Sequence, residues 1–89
     1  MGKVMTSGTE CWIEQGFYPN GNVRLTLQPW AIEFTRPHRP CGYVGETWSV
    51  DWRNLSLNKI LEKAELISIL GPTELLPDGT RVVRVQYPL

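Results

Sequence analysis

The sequence predicts a small, mostly-β domain of the α+β class, with five to six antiparallel strands curled into a barrel or roll and one short helix near residues 56–65. Three observations predict it. Two copies of one turn, Tyr18-Pro19-Asn20-Gly21-Asn22 and Leu76-Pro77-Asp78-Gly79-Thr80, are each flanked by alternating apolar residues. Two ribbons, Trp30-Ala31-Ile32-Glu33-Phe34 and Trp48-Ser49-Val50-Asp51-Trp52, alternate aromatic or branched residues with small or acidic ones. The helical spacing of Leu57, Ile60, Leu61 and Ala64 marks a single helix, with Ser56 as its N-cap.

Residues 1–9 read as a flexible tail and residues 10–89 as one domain. In each Pro-Asn/Asp-Gly turn, proline suits the first central position, Asn or Asp the second, and glycine the left-handed position after them. Such a loop closes a hairpin with a glycine bulge. In the first hairpin that register sets Phe17 against Val23, Gln15 against Leu25 and Ile13 against Leu27. In the second it sets Leu75 against Arg81 and puts Val83, Val85 and Tyr87 on one face.

Pro29 cannot donate to a ladder, so Val23 to Phe34 reads as one long strand kinked there. The stretch from Thr35 to Thr47 holds Pro37, Pro40, Gly42 and Gly45 and reads as a long loop. A third strand comes next, from Tyr43 or Glu46 to Trp52. After the helix, Leu66 to Leu70 forms a strand that Gly71-Pro72 ends, and the second turn leads into the last strand. The order β-β-β-α-β-β is that of the five-stranded oligonucleotide/oligosaccharide-binding barrel. This OB-like order is an analogy of architecture and carries little functional weight.

Nine Lys and Arg balance nine Asp and Glu, so the chain lacks the net charge that draws a protein to nucleic acid or anionic membranes. Neutrality also leaves little to oppose self-association. Two cysteines, Cys11 and Cys41, are too few for a disulfide scaffold. No secretory or membrane-spanning apolar run is present, and a cytoplasmic location is expected. Gly2 and Thr6 formally fit an N-myristoylation pattern, which is short and weak.

The functional candidates gather around the ribbons and the loop between them. If the ribbons pair in symmetric register, Trp30 faces Trp52, Ile32 faces Val50 and Phe34 faces Trp48. The face carrying Trp30, Phe34, Trp48 and Trp52 is expected to be a core wall, with a stacking platform for bases or sugars as the functional alternative. Glu33 and Asp51 then lie on the opposite face, either in solvent beside Arg24 or Arg53, or as a carboxylate pair for acid–base or metal chemistry. The loop carries Arg36, His38 and Arg39, with Tyr43 further on. Prolines restrict it, and its cations suit a carboxylate, phosphate or protein partner. His38 and Cys41 have a metal-like spacing, but no second ligand pair accompanies them, so no metal is expected.

The reading that results is a non-catalytic binding module without a cofactor. It acts on a protein partner or its own copy, as a homodimer, through a sheet edge and the 35–47 loop. Single-stranded nucleic acid or sugar on the aromatic face is the first alternative, which the neutral charge does not favour. A small anion or small molecule at the barrel mouth is the second. No membrane association is expected.

Overall fold

The computed structural model describes residues 3–6, 8–51 and 57–87. Trp52, Arg53 and the expected N-cap Ser56 lie outside them. The described residues form seven strands in two antiparallel sheets and one short helix, with no closed barrel. One sheet has the order β1-β2-β3-β4, from Lys3–Thr6 (β1), Thr9–Phe17 (β2), Val23–Gln28 (β3) and Ile32–Glu33 (β4). The other has the order β5-β7-β6, from Glu46–Val50 (β5), Ser68–Leu75 (β6) and Arg81–Gln86 (β7). The helix α1, Leu57–Lys63, lies between β5 and β6 in the chain.

The two Pro-Asn/Asp-Gly turns are built alike. In the first, Tyr18 N–H donates to Asn22 C=O at 2.8 Å and Gly21 N–H to Tyr18 C=O at 2.9 Å. Leu76, Thr80 and Gly79 repeat both bonds in the second, at 2.9 Å each. Gly21 and Gly79 have φ of 91° and 88°, the left-handed region that the turn reserves for glycine. Phe17 therefore pairs with Val23 and Gln15 with Leu25, and Leu75 pairs with Arg81.

Four expectations are corrected. Residues 3–6, expected within a flexible tail, form β1 and pair with β2 from Lys3↔Trp12 to Thr6↔Thr9. The expected long strand from Val23 to Phe34 is instead a hairpin. Ala31 takes a φ of 57° after Pro29, and the chain reverses so that β4 pairs back on β3, Leu27 with Ile32 and Thr26 with Glu33. Trp30 thus sits in a turn. Gly71-Pro72 does not end β6, which runs through them with a register shift between Ile69 and Thr73. A bulge on an edge strand tolerates the missing proline N–H.

The fourth correction concerns the ribbons. Phe34 C=O accepts from Val50 N–H at 2.8 Å, and Arg36 N–H donates to Trp48 C=O at 2.9 Å. Phe34 therefore lies nearest Val50 rather than Trp48, and among the described residues Trp30, Phe34 and Trp48 do not share one face. Ile32, at the short outer strand, is 46% exposed, whereas Phe34 is fully buried.

One core lies between the sheets. It holds Cys11, Val23, Leu25, Leu27, Phe34, Leu61, Ile67, Val83 and Val85, with Val4, Ile13, Leu57, Ile69 and Tyr87 packed around it. A smaller cluster of Trp48, Cys41 and Val82, with Leu76 against it, lies on the other face of the β5-β7-β6 sheet. Helix α1 turns Leu61 and Asn58 inward. Asn58 Nδ2 donates to Val50 C=O at 2.9 Å, and its Oδ1 accepts from Ser49 Oγ at 2.5 Å, which fastens the helix to β5. Such a buried polar pair is tolerable because both partners are satisfied.

Two substitutions test this packing. Thr35 Oγ1 accepts the buried Leu25 N–H at 3.0 Å. Thr35→Val should lower the unfolding free energy by about 1–3 kcal/mol in urea titrations, while Thr35→Ser should keep most of it. Gly45 has a φ of 86°, and a Cβ there would lie 2.5 Å from the Tyr87 carbonyl oxygen. Gly45→Ala should therefore lower the melting temperature clearly, whereas Gly8→Ala, with open space around it, should show only the smaller backbone effect of its φ of 76°.

Candidate functional site

The Thr35 to Cys41 stretch is a strap drawn across the Trp48 face of the second sheet, and it is held from both sides. On one side the first hairpin turn grips its backbone. Asn20 Nδ2 donates to His38 C=O at 2.7 Å, and Asn22 Nδ2 donates to Arg39 C=O at 3.0 Å. Asn22 Oδ1 accepts from Cys41 N–H at 3.0 Å. On the other side Trp48 Nε1 donates to Arg39 C=O at 3.0 Å.

The side chains of the strap also turn inward. His38 Nε2 lies 2.7 Å from Glu74 Oε1, and its ring meets Trp48 edge-on at 5.1 Å between centroids. Arg39 grips both Glu74 oxygens in a fork. Its guanidinium lies 5.2 Å from the Trp48 ring centre, and that of Arg84 lies 5.0 Å away. Cations near an indole are attracted by the ring's electron-rich face. The Arg39 fork and the His38 contact together hold the Glu74 carboxyl well below its ordinary range, at about 2. Burial pushes the Cys41 thiol up, so that it stays protonated beside Arg84 and Glu46.

A second polar cluster lies where the sheets join. Tyr18 Oη donates to Glu33 Oε2 at 2.5 Å and also contacts Thr35 Oγ1 at 2.9 Å. Burial and then the Glu33 contact push the Tyr18 hydroxyl up to about 12. Arg36 turns away from Trp48, and its Nη1 donates to the Glu33 and Thr35 carbonyls at 2.7 and 2.8 Å. Glu33 is thus held by Tyr18 and not by Arg24, which makes no ion pair among the described residues.

The loop residues singled out from the sequence therefore separate. His38 and Arg39 meet at Glu74, Arg36 belongs to the sheet junction, and Tyr43 stands 73% exposed at the loop tip beside the exposed Val44. Trp30 is exposed at its turn, Phe34 is in the main core and Trp48 is in the smaller cluster, so these three form no platform. Trp52 falls outside the described residues. Among the described residues no group of three or more His, Cys, Asp or Glu could hold a metal ion, and no helix is long and apolar enough to cross a membrane.

The sequence reading missed Glu74, Asn20, Asn22 and Tyr18 as partners. Glu74 has no local signal, since its partners lie on the far side of the chain. Asn22 had one: its backbone closes the turn, and its side chain is left free for other contacts.

What the strap leaves open is a strand edge. Leu25, opposite Gln15, sends its N–H to Thr35 Oγ1 and its C=O to Phe34 N–H, both away from β2. In an antiparallel ladder the two residues of such a pair point away from each other. Gln15, and Phe17 two places on, therefore aim their N–H and C=O groups away from β3. The pairing with β1 runs, among the described residues, as far as Lys3↔Trp12. Among the described residues no strand meets Gln15 or Phe17 on that side. Their side chains are exposed too, Phe17 at 65%, although Val23 and Leu25 across the ladder are buried.

The chain matches no family model, no curated protein and no solved structure.

Two titrations check the polar clusters. The Glu74 carboxyl is depressed, so its contribution is present above its ordinary value of 4.5 and is lost as pH falls toward about 2. Trp48 fluorescence should change over that window and lose the transition in Glu74→Gln. The Tyr18 hydroxyl is raised, so its contribution is complete below its ordinary 10.0 and is lost as pH rises toward about 12. Phenolate absorbance of folded protein should show one late-titrating tyrosine, absent in Tyr18→Phe.

Proposed function

We propose that the protein is a non-catalytic binding module that takes an extended segment of another polypeptide onto the open edge of β2. The observation that carries this reading is the outward backbone of Gln15 and Phe17, unpaired among the described residues, beside an exposed Phe17 ring. An added strand gains affinity from main-chain hydrogen bonds and selectivity from alternate side chains.

The other edges are poorer candidates. The edge of β5 is met by Phe34 to Arg36. On β6 the Ile69 N–H is taken by Glu62 Oε2 at 3.1 Å, and Pro72 with its register shift interrupts the rest. Strand β1 is only four residues long and carries Lys3. Lysines, prolines, bulges and short length are the usual devices that keep an edge from pairing. Residues 15–17 of β2 are also few, but they carry no lysine, proline or bulge.

The strap has less to offer a partner than its composition suggested. Arg36, His38 and Arg39 are engaged within the molecule, which weakens the small-anion alternative. Burial of Trp48 removes the centre of the stacking platform on which the nucleic-acid or sugar alternative rested.

A capped neutral peptide, Thr-Val-Thr-Val-Thr, titrated into labelled protein tests the reading. Amide resonances of Gln15 and Phe17 should shift and their hydrogen exchange should slow. Gln15→Pro removes an outward donor at an exposed edge position, where proline is tolerated. It should abolish the response with the melting temperature changed by only a few degrees. A response confined to other residues, or none at millimolar peptide, would overturn the reading.

A further inference from the structure

Resting on β2 as a strand-accepting edge, we infer that the segment it accepts carries an acidic residue opposite Gly16, between two apolar ones. Gly16 lies on the solvent face of β2 and pairs with Arg24 of β3. A Cβ at Gly16 would lie 3.4 Å from both Nε and Nη2 of Arg24. The Arg24 side chain therefore folds over the glycine, onto the strand that borders the open edge. It makes no ion pair among the described residues, so its charge is left to water.

Glycine inside a strand weakens it and often marks the close approach of another backbone or a ligand. At Gly16 the missing side chain leaves room for the guanidinium and for a neighbour. Gly16 turns its own N–H and C=O toward β3, opposite in sense to Gln15. On the open side the residue facing Gly16 would form a non-hydrogen-bonded pair, in which Cα atoms are about 4.5 Å apart and side chains are closest. A carboxylate there lies one strand from the Arg24 guanidinium, with no Gly16 side chain between them. Glu14, on the same face, is already held by Gln28 Nε2 at 2.8 Å and does not take that place.

The flanking positions are set by the other face. Residues opposite Gln15 and Phe17 point to the core side, where Phe17 is exposed and Ile13 is half-buried. Apolar side chains there would cover the Phe17 ring. The partner chemistry is thus an extended apolar–acidic–apolar segment of another polypeptide.

The test compares two capped peptides, Thr-Val-Glu-Val-Thr and Thr-Val-Lys-Val-Thr, by amide titration at low salt. The glutamate peptide should shift Gln15 and Phe17 with roughly fivefold higher affinity, as expected when an opposite-charge cross-strand pair replaces a like-charge one. High salt should shrink the difference. Arg24→Glu, at an exposed site, should invert the order of the two peptides. Equal affinities, or an order that Arg24→Glu leaves unchanged, would overturn the acidic assignment while the neutral peptide's response at Gln15 and Phe17 still upholds the edge. Silence of all three peptides at those amides would overturn the edge itself, and the assignment with it.

Discussion

The two sheets are tied together at Phe34, Thr35 and Arg36, and the rest of the molecule depends on that tie. Phe34 gives its N–H to Leu25 of the first sheet at 3.3 Å and its C=O to Val50 of the second at 2.8 Å. Thr35 continues the contact with its side chain, since its hydroxyl takes the Leu25 N–H that a longer β4 would have taken. The Phe34 ring enters the core between the sheets. Removing a buried acceptor costs about 1–3 kcal/mol, a large share of the stability of a domain this small. The tie also sets the direction of the strap, because Arg36 leaves the junction already paired with Trp48 and the strap runs on from there.

From that start the strap closes the outer face of the second sheet. Its charges work locally: Arg39 and His38 on Glu74, with Trp48 beneath. Arg39 is half exposed, so its ion pair alone is worth little in water. The fork geometry and the buried indole N–H give the arrangement its specificity. Two asparagines from the first hairpin turn hold the backbone from the other side, so the strap joins three elements distant in sequence. A loop rich in Arg, His and Pro is thereby consumed in building the fold.

Local chemistry was legible in the sequence, and non-local choices were not. The Pro-Asn/Asp-Gly turns dictated their hairpins because glycine, proline and asparagine each suit one set of backbone angles, and register is fixed by the turn. The helix was legible through Leu57 and Leu61, although Asn58, its other inward residue, is polar and falls outside an apolar pattern. Pro29 was legible as a break but not as a reversal, since a missing N–H is equally compatible with a kink. The ribbon register failed for a similar reason: a shift by an even number of residues preserves every face, so alternation cannot distinguish Val50 from Trp48 as the neighbour of Phe34. The site depended on partners outside each local pattern. Arg39 in isolation reads as a free cation, and only the fold brings Glu74 to it.

The same contrast bears on what the edge of β2 can do. The outward N–H and C=O groups of Gln15 and Phe17 would support net stabilisation of about 0.5–1.5 kcal/mol per hydrogen bond. Association costs roughly 4–15 kcal/mol in lost freedom. So short a stretch of backbone would not by itself hold an arbitrary strand. Side chains must supply the difference. Covering Phe17 contributes about 1.5–3 kcal/mol if its ring is fully buried. Arg24, folded over Gly16, would add the charge preference that backbone bonding lacks. In the proposed complex, selectivity at this edge would therefore rest on two residues, Phe17 on the core side and Arg24 on the solvent side, with Gly16 between them.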